Sequence, residues 1–517
     1  MTDPHQGATI DTDPDQLIAP LDDHNQELLD NVHPAEWENP QPAERYHLVV
    51  IGGGTAGLVS AAGAAGLGAR VALIERRLLG GDCLNTGCVP SKAIIRAARA
   101  WHEARRTEER FGGPRVTSEG SFGQAMERMR ELRARISKND SAARFRDLGV
   151  DVFIGDGHFI AGDAVDVAGS RLRFRRAIIA TGTRAAALPI PGLEESGYLT
   201  NETIFSLTEL PRRLGVIGAG PIGCELAQTF ARFGSQVALI EVAPHVLPRE
   251  DVDAAMIVQQ ALLDDGVDLQ CDAVIDLIER TQDGLTVFYE HSGEKRQVEV
   301  DQLLVSVGRT PNVEGLGLEA AGIEFDHFGV KVDDNLRTAN RRVFAVGDIA
   351  SAYKFTHMAD ALARIAIQNA LFFGRAKASS LVIPWSTYTS PEIAHVGLYE
   401  QEAREKNIEV DTFTVEMDLV DRAILEGNTN GFVRAHVKQG TDTIVGATVV
   451  AANAGDIISE FTMAITNGIG LKSISGTIHP YPTQADAVRR VGDMYNKTRL
   501  TPFAAWVLKT ILKFRRG

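Results

Sequence analysis

The stretch His47-Leu-Val-Val-Ile51 runs into Gly52, Gly54 and Gly57, passes through an Ala-rich segment and ends in Val71-Ala-Leu-Ile-Glu75. The pattern then returns. Leu214-Gly-Val-Ile217 leads to Gly218, Gly220 and Gly223, and Val237-Ala-Leu-Ile ends at Glu241. Each glycine and each glutamate recurs 166 residues later, and the pentapeptide VALIE is identical in both copies. In such a unit the first glycine permits the tight turn out of a strand, the second lets backbone approach a pyrophosphate, and the third lets the helix pack on the sheet. Unpaired N–H groups at the helix N-terminus favour the phosphates, and the strand-end glutamate accepts hydrogen bonds from a ribose. A single run is weak evidence; two in register predict two doubly wound α/β units holding two dinucleotides. Glu241 suits a free ribose 2′-hydroxyl and repels a 2′-phosphate, and Val242-Ala-Pro244 brings no arginine. NADH is therefore expected over NADPH.

A length of 517 residues allows about three or four domains. Apolar residues at 44% and charged residues at 23% exclude wholesale disorder and fibrous repeats. The net charge of −15 argues against a nucleic-acid binder. Residues 1–44 carry eleven carboxylates and no Lys or Arg, which leaves the rest of the chain near −4. That composition, rich in Asp and Pro, predicts an acidic disordered arm over residues 1–45, with Trp37 as a docking point. No signal-peptide pattern and no apolar run of membrane-spanning length is found, and four cysteines cannot make a disulfide framework. A cytoplasmic location is the expectation.

After the first unit comes Gly80-Gly-Asp-Cys83-Leu-Asn-Thr-Gly-Cys88-Val-Pro-Ser-Lys92. Two cysteines five apart do not suit tetrahedral zinc, and Cys224 and Cys271 offer no second pair. No metal site is identified. A close pair beside a dinucleotide site reads as redox-active, with two unrelated thiols as the bland alternative. Cys224 and Cys271 read as small buried hydrophobes.

This segment resembles the active site of the class I pyridine nucleotide-disulfide oxidoreductases, the two-domain flavoprotein disulfide reductases that include dihydrolipoamide dehydrogenase, glutathione reductase and mercuric reductase. The resemblance runs from about Tyr46 to Lys497. It takes in Ala180-Thr181-Gly182, Gly308-Arg309-Thr-Pro-Asn312, Val343-Phe-Ala-Val-Gly347-Asp348 and Ser390-Pro-Glu-Ile-Ala-His-Val-Gly397. It implies FAD on the first unit, with Glu75, the adjoining Arg76, Gly81, Thr181, Gly182 and Asp348 around it, and NAD(P)H on the second. Cys88 would be the charge-transfer thiol, Cys83 the interchange thiol, and Lys92 with Glu225 the ion pair beside the flavin.

One departure bears on the acceptor. Disulfide-exchanging members carry a His-Pro dipeptide as base, with a carboxylate five residues on. Here His479-Pro-Tyr481-Pro-Thr-Gln-Ala-Asp486 places Tyr481 at the base position and Asp486 at the carboxylate. A phenol is a poor proton acceptor at neutral pH. Mercuric reductase is similar in having a tyrosine there and a second one after Pro-Gly-Leu, matched by Pro191-Gly-Leu193 and Tyr198. Its closing cysteine pair has no expected counterpart, since no cysteine follows Cys271, and the acidic arm stands in the place of its N-terminal metal-binding module.

The fold class expected is α/β: two Rossmann-like domains plus a C-terminal α+β dimerisation domain, assembled as a homodimer. The FAD domain is discontinuous (46–205 and 339–378), the NAD(P) domain spans 206–338, the dimerisation domain 379–498, and 499–517 form a basic amphipathic tail. That tail either lies on a membrane surface or covers the protein's own interface domain. Electrons would pass from NADH through FAD to Cys83–Cys88 and on to a metal ion such as Hg(II), a small disulfide or another acceptor. The alternatives are dihydrolipoamide dehydrogenase, with His479 as base, and a membrane-associated electron-delivery component.

Overall fold

The computed structural model describes residues 18–118 and 120–516. The strand Tyr46–Ile51 sits centrally in a seven-stranded sheet, parallel to Val71–Glu75 on one side and to Ser170–Ile179 on the other. The late strand Val343–Ala345 joins the same sheet, parallel to Ser170–Ile179. The helix Thr356–Leu371 then packs on the first-unit helix Thr55–Gly66, with Ile367 close against Gly63. Chain far apart in sequence thus completes the first unit.

The second unit repeats the arrangement in a four-stranded parallel sheet, in which Ile217 pairs with Ile240 as Ile51 pairs with Ile74. A three-stranded antiparallel sheet over 273–300 flanks it. Residues from Pro384 build a five-stranded antiparallel sheet backed by the helices Ala454–Thr466 and Asp486–Thr498. The fold is therefore two Rossmann-like domains followed by an α+β domain. Among the described residues no helix is long and apolar enough to cross a membrane.

The expected disordered arm is corrected over residues 18–45, while residues 1–17 lie outside the described residues. Asp22 caps a helix, Asp23–Val32, by accepting from the Asn25 amide at 2.9 Å. Ile18, Leu28 and Val32 are fully buried in the core that holds Leu48, Val50 and Leu73. Buried Asn25 accepts from Arg133 at 2.7 Å, and Arg133 also donates to the Asn85 carbonyl at 2.6 Å. Arg130 reaches Asp22 at 2.6 Å. The negative charge that suggests disorder is answered by arginines more than a hundred residues away. Trp37 docks through its indole N–H to the Val152 carbonyl at 3.1 Å. The tail forms a helix, Pro502–Arg515, with no buried residue within the one chain.

Candidate active site

The two dinucleotide units reproduce one another down to single hydrogen bonds. Glu75 accepts from the amides of Gly53 at 2.6 Å and Arg77 at 2.7 Å. Glu241 accepts from Ala219 at 2.5 Å and Ala243 at 2.8 Å, the same positions one repeat later. Each carboxylate is thereby pinned at its strand end. Burial pushes Glu75 up, against the pull of these amides and the neighbouring Arg76. Gly52 and Gly218 turn at φ of +104° and +95°. A Cβ on Gly57 would stand 1.8 Å from the Gly52 carbonyl, and one on Gly223 1.9 Å from that of Gly218. Gly54 and Gly220 cap the two helices without a side chain, which leaves the first-turn amides free for phosphate oxygens.

Around the first loop, Gly81 lies so near Gly54 that a Cβ there would meet the Gly54 Cα at 2.7 Å. Thr181 and Asn312 exchange hydrogen bonds at 2.9 and 2.8 Å, and the Asn312 amide donates to Gly182 at 3.0 Å. Gly308 turns at φ +69° and delivers Arg309, which contacts Asp82 and Thr183 and lies 3.8 Å from Asp348. Asp348, presented after Gly347 (φ +76°), is pushed up by burial, with Arg309 and Lys354 opposing. The twin glycine turns, the pinned Glu75 and this half-buried carboxylate fit an FAD. Its ribose, pyrophosphate and ribityl hydroxyls are the groups these donors and acceptors suit.

Cys83 lies in the short helix Gly81–Asn85 and Cys88 opens the helix Cys88–Arg105. Both are free thiols. The hydrogen bond from Cys83 is the largest influence holding Cys88 low; burial opposes it, and the Thr356 hydroxyl at 3.4 Å and the Lys92 charge add to it. Together they bring Cys88 down to about 6. The helix N-terminus favours the same thiolate. Cys83 is pushed up, first by its hydrogen bond to Cys88 and then by burial. The pair thus favours the thiolate on Cys88 and the thiol on Cys83.

One turn along, Lys92 meets buried Glu225 at 2.7 Å and lies 4.6 Å above the Tyr388 ring. The other Glu225 oxygen accepts from the Tyr388 amide at 2.8 Å. Burial opposes the Lys92 charge, and Glu225 outweighs it, so the ammonium is held above its ordinary range. The pair joins the two dinucleotide units at the redox helix. Cys224 is buried beneath it, as expected, whereas Cys271 is only half-buried.

The base position is on the C-terminal domain. Tyr481 is 73% exposed and donates to Asp421 at 2.9 Å, which raises its phenol. His479 is committed elsewhere: Nε2 pairs with Glu460 at 2.8 Å and Nδ1 faces the Thr477 carbonyl at 3.0 Å. Asp486 is held by Arg489 and Arg490 of its own helix at 2.8 and 2.6 Å. At the expected base position Tyr481 thus pairs with Asp421 rather than Asp486, while His479 pairs with Glu460. Tyr198 packs on the second unit, among Leu193, Ile278 and Tyr289. Thr356, Tyr388, Asp421 and Glu460 escaped the sequence reading, because none sits in a motif or at a fixed spacing from one.

Residues 46–363 match the family model described as pyridine nucleotide-disulphide oxidoreductase, and residues 383–491 match that family's dimerisation domain. The chain belongs to this family, whose members depend on FAD and NAD(P)H. The dimerisation-domain match supports a homodimer. Mercuric reductase of Bacillus cereus is 35% identical over 446 residues, covering 86% of this chain and 70% of that protein. Dihydrolipoyl dehydrogenase of Geobacillus stearothermophilus is 32% identical over 456 residues, covering 86% of this chain and 95% of that protein. Among solved structures, LpdA from Mycobacterium tuberculosis superposes with a TM-score of 0.80 at 27% identity, covering 88% of this chain and all of that one. The HOCl-induced flavoprotein disulfide reductase RclA from Escherichia coli gives 0.78 at 29% identity, covering 87% and 99%.

Proposed function

We propose that the chain is an NADH-preferring reductase of the mercuric-reductase-like kind, using FAD and the Cys83–Cys88 pair to reduce a soft metal ion such as Hg(II) or, less readily, a small disulfide. Bound FAD supplies the two-electron exchange between NADH and the sulfur pair. Glu75 and Glu241, each fixed by two amides, orient ribose hydroxyls, and Glu241 disfavours a 2′-phosphate. Lys92 sets a positive charge beside Cys88, where it stabilises the thiolate.

The observation that carries the acceptor class is the absence of a free imidazole at the base position. Attack by Cys83 on a disulfide R–S–S–R first requires its proton to leave. The mixed disulfide then forms with loss of RS⁻, and the Cys88 thiolate closes Cys83–Cys88 with loss of the second RS⁻. At the base position stands the phenol of Tyr481, which donates to Asp421, so no strong base serves that first step there. A divalent soft metal ion that binds both sulfurs displaces only the one proton on Cys83, and thiolate affinity drives that loss. The Escherichia coli structure has been solved as a Cu(II) complex, which accords with metal ions as ligands within this family.

With the FAD-loaded protein, Hg(II)-dependent NADH oxidation is expected to exceed lipoamide-dependent NAD⁺ reduction, and Cys88→Ser to abolish both. The same variant should lose the long-wavelength absorbance of a thiolate beside the flavin in an anaerobic NADH titration. Lipoamide turnover that vanishes in His479→Ala and survives Tyr481→Phe would instead establish dihydrolipoamide dehydrogenase.

A further inference from the structure

The helix Pro502–Arg515 is capped by Thr501, whose hydroxyl accepts from the Ala504 amide at 3.2 Å, yet none of its residues is buried. Phe503, Trp506, Leu508, Ile511, Leu512 and Phe514 are all exposed, from 47% for Ile511 to 87% for Phe514. Ten of its fourteen residues are apolar. A helix this short is marginal in water without a surface to pack against, so something must cover it.

The charge says what. After Asp493 the chain carries six Lys and Arg and no carboxylate, against a net −15 for the whole. On the helix, Lys509, Lys513 and Arg516 follow at four- and three-residue steps and form one row. Thr510 and Arg515 interrupt the apolar arc that fills most of the remaining circumference. A protein groove covers a stripe of roughly 100°; an arc this broad suits immersion in an acyl layer. The narrow basic row is then left at headgroup level, with its aliphatic stems lying along the apolar surface. The rest of the chain is acidic overall, so this helix is the segment whose charge favours the approach.

We propose that residues 501–516 dock the enzyme on an anionic phospholipid bilayer, with Phe503, Trp506, Val507, Ile511 and Phe514 entering the acyl boundary and Lys509, Lys513 and Arg516 meeting lipid phosphates. The reductase then works at the membrane face. This does not rest on the redox reading, because vesicle binding reports on the helix alone.

The test is co-sedimentation of the full-length, FAD-loaded protein with vesicles of about one-third phosphatidylglycerol in phosphatidylcholine, and with phosphatidylcholine alone. Partitioning onto the anionic vesicles is expected to be on the order of tenfold stronger or more, and to fall as salt is raised. Removing residues 501–517, or reversing Lys509 and Lys513 to Glu, should abolish it while the assembly size is unchanged. The Trp506 emission should shift to shorter wavelength with anionic vesicles, a change missing in Trp506→Phe. Intact protein that stays in the supernatant, or binding that survives the truncation, overturns the proposal. A truncated chain that becomes monomeric where the intact chain is dimeric also overturns it, because the helix would then cover a second copy.

Discussion

Replacing Thr356 by Val should raise the Cys88 thiol by about one pH unit. The hydroxyl at 3.4 Å is one of three groups that favour the thiolate, after Cys83 and alongside Lys92. A hydrogen bond to a charged acceptor contributes about 1.5–3 kcal/mol, and one pKa unit corresponds to about 1.36 kcal/mol. The long contact places the effect at the low end, which moves the thiol from about 6 to about 7. The assay is the rate of alkylation of Cys88 in NADH-reduced, FAD-loaded protein across pH, mapped by mass spectrometry. Thr356→Ser keeps the donor and should restore the wild-type midpoint, and Cys83→Ala should shift it further than Thr356→Val because it removes the largest influence. An unchanged midpoint in Thr356→Val, or a Ser variant displaced as far as the Val variant, would refute the account of how the thiolate is held.

Other consequences are equally direct. Gly57→Ala puts a Cβ 1.8 Å from the Gly52 carbonyl and should cost the protein its flavin, whereas Gly223→Ala, with the same clash in the second unit, should spare the flavin and weaken NADH binding; flavin absorbance and isothermal titration separate the two. Arg133→Met strands the Asn85 carbonyl and the Asn25 amide oxygen, for a loss of about 2 kcal/mol or more, seen as a lower denaturant midpoint and faster proteolysis within residues 18–45. Burial holds His395 down to about 3, with the Gly397 carbonyl and His436 as lesser influences. The unfolded chain therefore binds the extra proton between about 6.5 and 3, and stability falls with pH across that window. From pH 6.5 to 5 this amounts to about 2 kcal/mol, and His395→Gln should flatten that part of a denaturant-unfolding profile.

Glycine turns, helix starts and strand-end acids are local demands on backbone geometry, so the Gly52, Gly54, Gly57 run and its repeat determined two nucleotide units and the placing of Glu75 and Glu241 from sequence alone. The five-residue spacing of Cys83 and Cys88, closed within a few turns of chain, was legible for the same reason. What tuned those sulfurs was not. Thr356 arrives from a helix 268 residues beyond Cys88, and Tyr388 supports Glu225 from the start of another domain. Tyr481 was visible at the base position, but only packing decided that Asp421 rather than Asp486 would hold it, and that Glu460 would hold His479. Likewise, composition read Asp22 and Asn25 as solvated, because nothing in their neighbourhood announces the buried Arg133 and Arg130 that answer them. Local sequence settles what the backbone must do at one place; which distant charge or hydroxyl comes within 3 to 4 Å is settled only when the sheets close.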